Sequence, residues 1–449
     1  MFLWAGILKD GSRKETYTMK LFRVFLTVAG WTGVSRLSGV VREIMLANVF
    51  GAGTFMDIYT FAVKLPNFFR RFFAEGALNA VLVPKFSSMM ATDTKENMQT
   101  FANQMLSVLV VGLLAFVVVV EIGMPVVIGA IAPGLKDAVR EQVIHYARLT
   151  FPYIWLVSIV AFISGVLNSV HRFAWAAGIS VALNVAMVAA LALGKLCESA
   201  TATLMHMLCG SIVLGGVVQC ALLWRNCNKH GVQLRMSRPT ITPEVKNVLK
   251  ASIPGMIGAG VVQINVFIDM AFASTLPSGG ISYLAYADRL NQLPLSLLGA
   301  ALGTTMLPAL SRLWQSGSHE EAHRLQKRAF SGALTIAIPA TVGLFLLAEP
   351  IIRLLYGHGK FDDVAIKQTA MTLQALAIGL PAHIITKINS AAFFAKRNTK
   401  TPVLIAAGCV FLNVALNAML IGRFAHVGLA SATALAAWAN AIIGLRIRA

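Results

Sequence analysis

The chain has 449 residues, 57% of them hydrophobic and only 13% charged, against roughly 25% charged and 45–50% apolar in an ordinary soluble domain. That balance excludes a soluble enzyme, and apolar runs of about 20 residues, long enough to cross a bilayer, recur from one end to the other. The 38 Lys+Arg against 19 Asp+Glu, a net charge of +19, would suggest nucleic acid in a soluble chain. Cytoplasmic loops of membrane proteins collect the same excess, so no nucleic-acid partner is expected.

Residues 1–21 carry Lys9, Arg13 and Lys14 but no apolar core ending in a small-residue cleavage site, so they predict a cytoplasmic segment and not a secretory signal. Either Met1 or Met19 can be the start. Hydropathy and turn signals then predict spans at about 22–49, 55–90 (broken), 101–131, 143–169, 174–195, 203–224, 248–276, 281–311, 329–348, 366–393, 403–421 and 427–445, about twelve helices in all. Arg225, Lys229, Arg235 and Arg238 form one basic cluster, Arg324, Lys327 and Arg328 a second, and Lys396, Arg397 and Lys400 a third. The loops near Glu198 and Pro277 are poor in basic residues and the one from Lys136 to Glu141 is charge-balanced, which places both termini in the cytoplasm. The five cysteines contain no CxxC pair, so neither a zinc site nor a disulfide framework is indicated.

An internal repeat is visible by eye. Leu183-Asn184-Val185-Ala186 recurs as Leu412-Asn413-Val414-Ala415, with Pro152 and Pro381 each 32 residues before the Asn. Nearly the same shift brings Leu65-Pro66 onto Leu293-Pro294. The expected architecture is therefore an all-α polytopic membrane protein in two six-helix lobes, 22–224 and 248–449, joined by a basic linker over 225–247. Parallel repeats of this kind commonly enclose a substrate site, here expected to be a central cationic cavity.

The informative chemistry lies early in the chain. Arg36 and Arg42 interrupt an apolar first span, and Asp57, Lys64, Arg70, Arg71 and Glu75 follow in the second. A central Arg or Asp costs about 2.5–3.5 kcal/mol even on insertion scales, so such residues face an interior or an aqueous pathway. Arginine grips phosphate through a planar fork of donors and keeps its charge where lysine loses a proton. A phosphate-bearing substrate fits this set; packing salt bridges to Glu43, Asp57 or Glu75, or snorkelling to the interface, is the plainer alternative. Asp288 and Arg289 sit near Pro294 and add a second-half acid and base, with an interfacial cap and salt bridge as the alternative.

A separate polar set comprises Asp269, Asn413, Asn417 and Thr433. Its oxygens suit Na⁺, or a titrating Asp suits H⁺, while hydrogen-bonded packing between helices explains the same residues more simply. His145, His206 and His383 are far apart in sequence and away from acids, so no metal site is expected from them. Tyr356-Gly357-His358-Gly359-Lys360 lacks the strand, the Lys-Ser/Thr ending and the helix of a phosphate loop. It reads as an extracytoplasmic loop, and no catalytic constellation is present.

Several motifs together carry a family resemblance: Ser35-Arg36-x-x-Gly39-x-x-Arg42-Glu43, Phe50-Gly51-Ala52-Gly53, Lys64-Leu65-Pro66-Asn67-x-x-Arg70-Arg71-x-x-Ala74-Glu75-Gly76-Ala77 and Tyr286-Ala287-Asp288-Arg289-Leu290. They resemble the MurJ (MviN) lipid II flippases, as do Phe151-Pro152-Tyr153, Leu302-Gly303-Thr304, Leu307-Pro308 and Tyr356-Gly357-x-Gly359-Lys360-Phe361. The resemblance implies a bacterial inner-membrane transporter of the multidrug/oligosaccharidyl-lipid/polysaccharide superfamily. It would carry lipid II, the undecaprenyl-diphosphate-linked disaccharide-pentapeptide, to the outer leaflet for peptidoglycan synthesis, beside cell-wall synthesis proteins as partners. Arg36, Arg42, Arg70 and Arg289 match the family's cavity arginines, and Asp57 and Glu75 match acidic positions of the same motifs. Asp269, Asn413, Asn417 and Thr433 fall near a sodium site of some relatives, with Asn417 where an Asp can stand; coupling to Na⁺, H⁺ or membrane potential is expected. The family usually carries fourteen helices, and its last two are expected to be missing here. The other readings are a polysaccharide-lipid flippase or drug/cation exporter of the same superfamily, which should have a more acidic cavity, and a non-transporting scaffold for cell-wall enzymes, which needs no buried charge.

Overall fold

A computed structural model describes residues 13–73, 77–170, 172–301 and 306–448, with side chains described from residue 27 onward except at 71–80, 91, 171, 257–262, 300–305 and 448–449. Regular structure among these residues is helical. The first ten helices are α1 (Arg13–Phe50), α2 (Thr54–Phe73), α3 (Ala77–Thr92), α4 (Lys95–Ile122), α5 (Met124–Ile131), α6 (Asp137–Thr150), α7 (Tyr153–Ser169), α8 (Phe173–Gly178), α9 (Ser180–Leu196) and α10 (Thr201–Lys229). Then come α11 (Pro243–Ala273), α12 (Gly280–Ala301), α13 (Leu307–Gln315), α14 (His319–Leu346), α15 (Ala348–Tyr356), α16 (Asp363–Ile378), α17 (Leu380–Ala395) and α18 (Lys400–Arg448), which turns sharply at Ala425.

Each expected span falls on one or more of these helices. Seven stretches among the described residues are long and apolar enough to cross a membrane: Lys95–Ile122, Asp137–Ser169, Phe173–Leu196, Thr201–Lys229, His319–Leu346, Asp363–Ala395 and Lys400–Ile447. The count of twelve and its repeat stay expectations of the sequence. Exposed apolar side chains on these stretches, such as Ile122, Leu404, Phe411 and Met419, suit contact with lipid tails.

Pro66 and Pro294, the aligned prolines of the repeat, both lie inside helices, Pro66 in α2 and Pro294 in α12. A proline deletes one N–H bond of its helix and crowds the preceding turn, but in membrane helices neighbouring groups re-satisfy the freed backbone.

The chain divides into two compact units, the first from residues 1–45, 61–125 and 144–263 and the second from 46–60, 126–143 and 264–449. The first unit is cored by Leu82, Phe86, Phe101, Met105, Phe162, Ile163 and Leu223, drawn from α3, α4, α7 and α10. Small residues let its helices close up. A Cβ on Gly216 would lie 2.9 Å from the Tyr153 ring, and one on Gly215 would lie 2.8 Å from Leu183, so α10 seats tightly on α7 and α9.

The segment after α10 is an extended strap fixed along α4. Gln99, Asn103 and Ser107 repeat every fourth residue of α4 and meet alternate strap residues: Gln233 N–H donates to Gln99 Oε1 at 2.8 Å, Arg235 N–H to Asn103 Oδ1 at 2.9 Å and Ser237 N–H to Ser107 Oγ at 2.9 Å. The registers match because four helical residues advance about 6 Å and two extended residues about 6.6 Å.

In the second unit, Leu298, Leu310, Ala333, Leu380, Ile384 and Ile388 form the larger core, and Ala382, Ile385, Ala437 and Ala441 a smaller one. Asp362 caps α16 through its Oδ1, which accepts from Ala365 N–H at 2.8 Å, supplying one of the orphan N–H groups of a helix start with an acceptor.

Candidate functional site

Arg42 is held by two side chains. Its side chain is 17% exposed and its guanidinium donates to Glu43 Oε1 at 2.6 Å and to Asn184 Oδ1 at 2.8 Å. Asn184 is itself held, its Nδ2 donating to Ser38 Oγ at 2.8 Å and to Ser35 O at 3.2 Å. A Cβ on Gly39 would lie 3.7 Å from that Nδ2, an ordinary contact, so Asn184 packs directly over Gly39 of α1. The asparagine noticed only as part of a repeat therefore orients the arginine. A charged side chain fixed by an acid and a neutral acceptor is pre-organised and pays little ordering cost when an anion arrives.

Arg70 is half-buried near the end of α2. Arg70 and Arg42 both lie within electrostatic range of the Tyr153 hydroxyl of α7, in the motif Phe151-Pro152-Tyr153. Lys64 is half-buried and Arg36 exposed. The side chain of Arg71 and all of Glu75 lie outside the described residues. Between residues 27 and 73 the sequence holds five Lys or Arg against two carboxylates, Glu43 and Asp57, and this segment remains cationic.

Asp57, expected among the substrate contacts, belongs to the second unit and is 5% exposed. Its Oδ2 accepts from Gly279 N–H at 2.6 Å, and its Oδ1 from Ser282 N–H at 2.8 Å and Ser282 Oγ at 2.5 Å. The carboxylate thus caps the start of α12, where orphan N–H groups and the positive end of the helix dipole favour an anion. Nearby, Gly51 and Gly359 adopt φ of +65° and +66° and their segments lock together, Lys360 N–H donating to Asn48 O at 3.0 Å. Tyr286 donates from its hydroxyl to Gly51 O at 3.2 Å and packs at a tilt against Tyr356 and edge-on against Phe361, with ring centroids 4.9 and 5.3 Å apart. Three separate motifs, Phe50-Gly51-Ala52-Gly53, Tyr286-Ala287 and Tyr356-Gly357-x-Gly359-Lys360-Phe361, meet in this knot.

Asp288 and Arg289 lie two turns into α12, not at its start; Arg289 is exposed, and Asp288 Oδ2 accepts from Gln292 Nε2 at 2.5 Å.

Three of the four residues expected at an ion site converge. Asn417 Nδ2 donates to Asp269 Oδ1 at 3.1 Å and to Asn413 Oδ1 at 2.6 Å, and Asn265 Nδ2 donates to Asp269 Oδ2 at 3.2 Å. Thr433 Oγ1 instead donates to Leu429 O of its own helix at 3.0 Å. As placed, the amide NH₂ of Asn417 lies between Asp269 and Asn413 and makes hydrogen-bonded packing between α11 and α18.

Two of the histidines expected to stand apart come together. His145 and His206, 61 residues apart, meet with their Nε2 atoms at 2.9 Å; no local spacing could reveal this, because the pairing rests on how α6 lies against α10.

A sequence profile described as "Lipid II flippase MurJ" matches residues 46–449. The chain is 36% identical over 428 residues to a probable lipid II flippase MurJ of Rhizobium meliloti, covering 95% of this chain and 80% of that one. It is 32% identical over 439 residues to the lipid II flippase MurJ of Burkholderia cenocepacia, covering 96% and 84%. Among solved structures, a lipid II flippase MurJ in an inward closed conformation superposes with a TM-score of 0.80 at 25% identity over 94% of this chain and 87% of that one. An inward-facing multidrug transporter of the MATE family shares the fold alone, with a TM-score of 0.75 at 14% identity over 92% and 94%.

Proposed function

Because the chain belongs to the MurJ family of lipid II flippases, we propose that its Arg42–Asn184–Glu43 network, together with Arg70, holds the diphosphate of lipid II while the head group crosses the bacterial inner membrane. The protein is a multi-pass transporter and not an enzyme; its substrate is the lipid-linked peptidoglycan precursor and its surroundings are membrane lipid. Arg36 and Lys64 in the first unit, and Asp288 and Arg289 in the second, are the further residues we assign to contacts with the sugar-peptide head. Asp57 contributes by holding the start of α12.

The observation that carries this role is the orientation of Arg42 by a buried carboxylate and a buried amide inside apolar helices. The Glu43 bridge is the packing partner the sequence offered for Arg42; held by it and by Asn184, the guanidinium is aimed so that it can meet a diphosphate through charge-assisted bonds. The transport cycle is alternating access, in which the head group is taken up on the cytoplasmic side and released outside while the lipid tail stays in the bilayer. Both termini lie in the cytoplasm. Membrane potential, worth about 2.3 kcal/mol per charge per 100 mV, drives return of the unloaded cationic site, and the cell-wall enzymes that consume the precursor are the functional partners.

The test is native mass spectrometry of the purified chain with lipid II and with undecaprenyl monophosphate. Binding of lipid II in preference to the monophosphate, with at least tenfold loss in R42A and in R70A, is the expected result. Equal retention of lipid II by wild type and the R42A/R70A double variant would refute the diphosphate role.

A further inference from the structure

We propose that His145 of α6 and His206 of α10 form a binding site for a divalent transition-metal ion of the zinc, copper or nickel class, which clips the two helices together within the first unit. The site is separate from the arginines that serve the flippase role.

The geometry sets each imidazole in its state. His206 Nδ1 lies 2.8 Å from Ala202 O, and a carbonyl can only accept, so Nδ1 carries the proton and Nε2 presents its lone pair. This is the arrangement found behind metal-ligating histidines, whose second ring nitrogen donates to a backbone carbonyl and so fixes the tautomer. His145 Nε2, 2.9 Å away, donates to that lone pair when no metal is bound. On metal binding, the His145 proton moves from Nε2 to Nδ1, leaving two neutral imidazoles with their Nε2 lone pairs converging and the proton count unchanged.

The spacing is close to what a metal needs. Two nitrogens each about 2.05 Å from a tetrahedral zinc lie about 3.4 Å apart, so the rings must separate by about half an ångström. Nothing rigid opposes that, because both histidines are exposed. Behind them the buried Tyr146 ring stands 5.1 Å from His145 and 5.0 Å from His206, edge-on to both, and fixes the plane from which the imidazoles project. Both residues sit within the first three turns of their helices, about 12 Å and 8 Å from the starts, so the ion can enter from water at the helix ends. No cluster of three or more His, Cys, Asp or Glu suited to a metal occurs among the described residues. Water or an outside ligand therefore completes the coordination, and imidazole ligands select zinc, copper and nickel over magnesium or calcium.

The test uses the full chain in detergent with any purification tag removed. Calorimetry with Zn²⁺ and electron paramagnetic resonance with Cu²⁺ are each run on wild type, H145Q, H206Q and the double variant. The expected result is one ion per chain, two imidazole nitrogens on Cu²⁺ in wild type, one in each single variant, and at least tenfold weaker binding in the double variant. Should the variants fail to fold, carbethoxylation of the wild-type histidines mapped by mass spectrometry replaces them, with Zn²⁺ protecting His145 and His206 at least tenfold but not His358. Unchanged binding in the double variant, no saturable binding to wild type below about 1 mM, or no selective protection would overturn the site.

Discussion

Replacing Asp57 by alanine removes the acceptor for Gly279 N–H, Ser282 N–H and Ser282 Oγ, bonds of 2.6, 2.8 and 2.5 Å at a residue only 5% exposed. Hydrogen bonds to a charged group contribute about 1.5–3 kcal/mol each, and donors left buried without a partner cost about 1–3 kcal/mol. Against that, the variant no longer keeps a carboxylate out of water, which offsets a good part of the sum. A net loss of about 3 kcal/mol in the local stability of the α12 start follows, about a hundredfold in opening equilibrium. Hydrogen exchange with mass spectrometry on peptides spanning residues 279–290 reads this directly: exchange in D57A should accelerate about a hundredfold. In D57N, which keeps one acceptor but turns an amide donor toward Gly279 or Ser282, the acceleration should be about tenfold. Exchange in folded D57A within twofold of wild type would refute the capping role.

Other substitutions also have expected outcomes. In G51A and G359A, a Cβ would lie 2.3 Å from Lys360 O and from Asn48 O, at φ of +65° and +66°; backbone cannot step aside, so each should lose at least about 2 kcal/mol, read as a lower unfolding midpoint in detergent. N103A removes the acceptor that holds Arg235 N–H on α4, and limited proteolysis should cut within 230–242 about five to ten times faster, a loss of about 1 kcal/mol. N417D replaces the amide donor between Asp269 and Asn413 by a second carboxylate; thermal stability should then rise with Na⁺ more steeply than in wild type, measured as the shift of the unfolding midpoint with Na⁺ concentration. R42K keeps the charge but loses the fork that reaches Glu43 and Asn184 together, and lipid II binding should fall nearly as far as in R42A.

What the sequence could and could not show follows from how far each interaction reaches. The apolar spans were legible because each lies in one continuous stretch, and Arg36, Arg42 and Arg70 stood out because charge inside such stretches is costly. Asn184 was seen only as a repeat letter; its bonds to Arg42 and Ser38 cross 142 and 146 residues, a separation at which no periodicity operates. The same limit hid the seat of Asp57 on α12, the knot of Gly51, Tyr286 and Gly359, and the meeting of His145 with His206. The strap on α4 was half-legible, since Gln99, Asn103 and Ser107 recur at every fourth residue, but its extended partner carries no pattern of its own.

The most direct measurement is complementation. The 449-residue chain, and its R42A/R70A variant at equal membrane level, are expressed in bacteria depleted of their own lipid II flippase, and growth and outer-leaflet lipid II are followed together. The wild-type chain should restore both and the variant neither. Full restoration of outer-leaflet lipid II by the variant would contradict the assignment of the diphosphate to these arginines.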